Sequence, residues 1–139
     1  MKHDEFIGQV QARGKLDSLG QAERVTRSVL ETLGERIPDG LADNLAAQLP
    51  HEIGEHLRRT VEPDKHGTGE HMDLKEFVSR VEAKSGLDRP QAVYATRVVW
   101  EVTSEATQGS VMAKVRDALP PDVRQLVSAG SSGNVDVRT

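Results

Sequence analysis

Apolar residues recur along this chain at intervals of three and four, and polar residues fill the positions between. Phe6 and Val10 stand one helical turn apart, and Phe77 and Val81 repeat the spacing, so each pair marks one face of a first helix. A longer stripe follows Asp17 through Ala22, Val25, Val29 and Leu33. Another follows Asp88 through Val99 and Thr103, with Pro90 near the favoured first-turn position. Pro38, Asp39 and Gly40 then interrupt the pattern. Leu41, Leu45 and Leu49 predict a third helix, matched by Val111, Val115 and Leu119. A residue before proline avoids helical dihedrals, whereas proline suits a helix start. QLPHEIGEHL and ALPPDVRQLV therefore read as a turn into a short fourth helix. Asp73 with Glu76 makes a capping pair for the helix of Phe77. No stretch alternates with period two beside a hairpin turn, so no strand is predicted. VYATRVVW favours strand by residue type, but its counterpart ERVTRSVL is helical by composition.

These elements occur twice. Shifting the chain by 70 residues lays 22–57 on 92–127 without a gap, with eight identities where average composition predicts about 2. The identities are Ala22/Ala92, Thr26/Thr96, Arg27/Arg97, Val29/Val99, Glu31/Glu101, Glu35/Glu105, Leu49/Leu119 and Pro50/Pro120. Other positions keep their character, as at Leu30/Trp100, Leu45/Val115 and Leu57/Val127. Upstream, a shift of 71 aligns Phe6, Val10, Ala12, Leu16 and Asp17 with Phe77, Val81, Ala83, Leu87 and Asp88. The expected architecture is all-α: two tandem copies of a four-helix unit, packed with pseudo-two-fold symmetry into one globule. Residues 1–60 form the first repeat, 61–72 a polar linker, 73–129 the second repeat and 130–139 a Gly/Ser-rich flexible tail.

Composition narrows the chemistry. The 139 residues hold no cysteine, which removes disulfides, thiolate metal sites and cysteine nucleophiles. The amino terminus MKHDEF is charged where a secretory signal would be apolar, and no run has the length to span a bilayer. A cytoplasmic protein with no membrane partner is expected. The net charge of −4 leaves neither half a basic field, and one Trp, one Tyr and two Phe offer few stacking platforms. Nucleic acid is therefore not an expected partner.

The carriers FIGQV and FVSRV, TRSVLE and TRVVWE, and QLPHEIGEHL and ALPPDVRQLV together span most of residues 4–127. In this order they resemble the bacterial domain of unknown function 2267 family. The resemblance implies a soluble all-α bacterial protein with no established activity and no agreed catalytic residues.

Candidate sites are few. His51, His56, His66 and His71 cluster in sequence, but HEIGEH spaces its histidines five apart. That turns them about 140° around a helix, so they cannot share one ion without distortion. Glu52 and His56, four apart, could share one. The matching positions Pro121, Asp122 and Leu126 carry no histidine, and a solvated surface is the simpler reading. Nucleophile-elbow, phosphate-loop, dinucleotide and EF-hand patterns are missing, so no catalytic residue, metal or cofactor is expected. Arg27 with Glu31 and Arg97 with Glu101 are kept in register in both copies. Reciprocal docking of long helix on long helix, Arg27 reaching Glu101 and Arg97 reaching Glu31, would explain the retention. Tyr94 and Trp100 are the candidate partner anchors, although Trp100 aligns with Leu30 and suits a core. The expected function is that of a non-enzymatic helical interaction or structural module, engaging a protein partner or a second copy of itself. The alternative is a binding protein for a small apolar ligand between the two repeats.

Overall fold

A computed structural model of the chain describes residues 1–59 and 72–129. The expected tail, and the expected linker apart from Met72, lie outside the described residues. Among those described there are eight helices and no strand. The helices are α1 (His3–Gly14), α2 (Leu19–Arg36), α3 (Asp39–Gln48), α4 (His51–Arg58), α5 (Leu74–Ser85), α6 (Arg89–Glu105), α7 (Val111–Asp117) and α8 (Pro121–Ser128).

Their ends follow from local chemistry. Ser18 caps α2 by accepting from the Gln21 N–H, and the Gln21 side chain accepts from the Asp17 N–H. Asp88 caps α6 with a full capping box, its carboxylate on the Gln91 N–H and the Gln91 side chain on its own N–H. Asp73 accepts from the Glu76 N–H at the start of α5, while the Glu76 carboxylate turns to Arg80 instead of back to the cap. Helices α1 and α5 both stop on a left-handed residue, Lys15 at φ 54° and Gly86 at φ 77°. Pro38, Pro50 and Pro120 stand immediately before α3, α4 and α8. Asp39 and Gly40, expected to lie in the interruption, are the first residues of α3. The corresponding helix α7 is shorter, seven residues against ten, because Gly109 turns through φ 72° where Asp39 begins α3.

Helix α1 packs on both long helices, α2 and α6, and α5 likewise packs on α6 and α2. Helix α2 meets α6, and α3 meets α7. Helix α4 covers α2 and α3, and α8 covers α6. The buried apolar side chains of all eight helices join in one continuous core, with Phe6 and Phe77 at 0% and 1% exposure. Thr26, Ser28, Thr32, Thr96 and Thr103 are buried on the long helices. The hydroxyls of Thr32, Thr96 and Thr103 donate to carbonyls one turn back, so these polar groups enter the core already partnered. No helix among the described residues is long and apolar enough to cross a membrane.

Candidate functional site

Among the described residues, organised charge lies along two seams where a short helix crosses a long one. At the first seam Arg13, in the last turn of α1, forks onto α6. Its Nη1 donates to Glu101 Oε1 and Glu105 Oε2, each at 2.6 Å, and its Nη2 to Glu105 Oε1 at 2.7 Å. The planar guanidinium thus takes Glu105 in both hands. The pairing holds the Glu105 carboxyl below its ordinary pKa and raises that of Arg13. At the second seam Lys84, in the last turn of α5, reaches α2. Its Nζ lies 3.3 Å from Glu31 and 3.0 Å from Glu35. Arg80 adds a contact to Glu35 at 3.2 Å, and Arg59 one to Glu31 at 3.6 Å.

The seams match beyond their charges. Tyr94 Oη on α6 donates to the Arg13 carbonyl at 2.8 Å, and Arg24 Nε on α2 donates to the Lys84 carbonyl at 3.4 Å. Arg24 and Tyr94 are 70 residues apart, and Arg13 and Lys84 are 71 apart. Each bond fastens the carboxy-terminal end of a short helix, where carbonyls lack helical partners, to the opposite long helix.

Arg27 and Arg97, expected to dock the two halves, stand in different surroundings. Glu31 and Glu101 do make contacts between the first four helices and the last four. Glu31 pairs with Lys84 and Arg59, and Glu101 with Arg13. Arg27 is exposed on α2. Arg97 is only 8% exposed, and its Nε donates to the Leu126 carbonyl near the end of α8 at 3.2 Å. There it acts as a cation at the negative end of a helix. The signal for the seam cations was a shift of 71, which sets Arg13 on Lys84, but the pair is not identical and so does not show among the identities.

The candidate anchors are engaged within the fold. Tyr94 is partly buried with its hydroxyl on Arg13, and Trp100 is partly buried against the core. Trp100 lines a narrow space with Val29, Leu30, Phe77, Val99 and Val127 that has room for only about 10 Å³, at most a single water. Larger hollows lie at the surface. The α1–α2 and α5–α6 turns flank a cleft of about 150 Å³ that includes Gln21, Gln91 and Tyr94. A groove of about 390 Å³ runs between α3 and α7, past Leu41, Asn44, Gln48, Val111 and Lys114.

The histidines are dispersed. His3 Nε2 lies 2.8 Å from Glu23 and its Nδ1 3.0 Å from Asp4, and these partners raise its pKa. Exposed His51 lies 3.7 Å from Glu55. His56 is half-buried, and burial lowers its pKa. His66 and His71 fall outside the described residues. Among the described residues no three His, Asp or Glu side chains converge as a metal site.

An all-helical bundle closed by two ion-paired seams is the class these observations define. The chain belongs to the family described as uncharacterized conserved protein (DUF2267), which matches residues 3–126. No curated protein matches it.

Proposed function

We propose that this protein is a non-catalytic helical interaction module, made of two four-helix repeats docked about a pseudo-two-fold axis, that engages a protein partner or a second copy of itself. The reciprocal seams carry the reading: Arg13 on Glu101 and Glu105, against Lys84 on Glu31 and Glu35. The pairwise packing of α1 on α6 with α2 on α5, and the self-matching pairs α2–α6 and α3–α7, have the form an isologous interface takes. In this reading the best-placed carboxylates and cations hold helices together and are not arranged as acid, base or nucleophile. The surface left for a partner is the broad groove between α3 and α7, whose lining mixes Leu41 and Val111 with Asn44, Gln48 and Lys114.

The alternative, a small apolar ligand between the repeats, draws little support from a space of about 10 Å³ among Val29, Leu30, Val99 and Trp100. Native mass spectrometry of the purified chain distinguishes the readings, because oligomer, retained ligand and metal are read together. The proposal expects a protein-only species that dimerises or captures a polypeptide. A stoichiometric small molecule or metal ion would overturn it.

A further inference from the structure

We propose that His56 is an acid-sensitive latch on α4, and that its protonation releases the last turn of that helix from α2. Several independent features meet at this side chain. His56 is half-buried, and its Nδ1 is sealed from solvent with no hydrogen-bond partner among the described residues. The charges of Glu23, Arg27 and Glu31 on α2 act on the ring, as does that of Arg59 at the end of its own helix.

Three of the surrounding carboxylates, Glu23, Glu31 and Glu55, are already engaged. His3 of α1 holds Glu23 at 2.8 Å. Arg59 and Lys84 share Glu31 at 3.6 and 3.3 Å. Arg58 lies 3.4 Å from Glu55 and 3.7 Å from Asp43 of α3. Glu52 stands one turn earlier on α4. A proton on Nδ1 would therefore create a donor without an acceptor among the described residues, at an atom closed to water, and a positive charge near two arginines. Burying an unpaired charge is among the costliest local changes a fold can undergo.

The second half of the chain supplies a control. The residue matching His56 is Leu126 on α8, 7% exposed, so a neutral apolar side chain serves this corner of the fold. Helix α4 can relieve a charged His56 locally. It has only eight residues, and its final turn carries the ring together with Arg58 and Arg59. Unwinding that turn exposes the ring and detaches Arg59 from Glu31, while Lys84 still holds Glu31. The release is thus confined to the α4 corner and leaves the seam between α2 and α5 closed.

Amide hydrogen exchange on the full chain tests this at pH 7.5 and pH 5.5, corrected for the intrinsic exchange rate at each pH. We expect protection of residues 53–59 to fall several-fold at the lower pH, while residues 123–129 of α8 hold steady. His56→Leu, which copies Leu126, is expected to abolish the fall. The idea is overturned if residues 53–59 are insensitive to pH, if the fall is equal in all helices, or if His56→Leu shows it unchanged. Should that variant fail to fold, an NMR titration of the unaltered protein decides: His56 must titrate below the ordinary histidine value, and titration at or above it overturns the latch.

Discussion

At the scale of single residues, the comparison between matched positions makes the energetics concrete. Gly54 of α4 faces α3 so closely that a Cβ there would sit 2.6 Å from the Ala46 carbonyl oxygen. The contact is with backbone, which cannot turn aside as a flexible side chain would. Gly54→Ala is accordingly expected to destabilise the fold by about 1–3 kcal/mol, read as a lowered urea midpoint. Lys15 is strained in the opposite sense, since it occupies the left-handed region at φ 54° where Gly86 stands in the matching turn. A left-handed conformation costs a residue with a Cβ about 1–2 kcal/mol. Lys15→Gly should therefore raise stability by up to about 1 kcal/mol after the added chain entropy of glycine is deducted, a gain checked by the same denaturation curve.

His3 gives a pH dependence of the opposite sign to that of His56. Its pKa is raised by Asp4 foremost and also by Glu23, so the folded state binds its proton more tightly than the unfolded chain does. The stability it contributes is fully present below the ordinary histidine value and is lost as pH rises through the folded value. Wild type minus His3→Gln stability should thus shrink as pH is raised from 5.5 to 8. A difference that grows over that range would contradict the assignment.

At the scale of elements, helix periodicity and proline placement were legible in the sequence, and the ends of the helices were legible only in part. The four-residue spacings of Phe6 and Val10, and of Leu41 and Leu45, report burial on one face, and the core follows them. Proline marks α3, α4 and α8 because its fixed φ suits the residue before a helix or its first turn. The cap of α2 is less obvious, since Asp17 and Ser18 are both good cap residues and the choice depends on which can reach the Gln21 N–H. Ser18 reaches it, and Asp17 instead gives its N–H to the Gln21 side chain. Nothing in the apolar pattern foretells that α7 loses a turn, because Val111 and Val115 keep their spacing whether or not the helix begins earlier. Asp88→Ala removes the acceptor from a complete capping box and should destabilise the protein by about 1 kcal/mol, seen as a fall in thermal midpoint.

At the scale of the molecule, the hardest feature to read was which cations close the bundle. Arg27 and Arg97 are identical in the aligned segments, but identity at a matched place does not specify the direction of a side chain. One is exposed on α2, while the other is drawn under the end of α8. The groups that do the closing, Arg13 and Lys84, keep only their charge, and they project from the short helices that lie across the opposite long ones. A cation near the carboxy-terminal end of a helix is favourable in itself, which gives both positions a local reason to stay basic. The carboxylates were the legible half, since Glu31, Glu35, Glu101 and Glu105 recur in register on the long helices.

Whether matched charges hold matched surfaces together is measured most directly by a pair of double-mutant cycles in chemical denaturation, one on Arg13 with Glu105 and one on Lys84 with Glu35. Both pairs are partly exposed, so solvent screening limits each coupling to about 0.2–1 kcal/mol, and the bidentate Arg13 pair should lie at the upper end. The account predicts a stabilising coupling at both seams. Additive effects at both, with no coupling between partners, would contradict it.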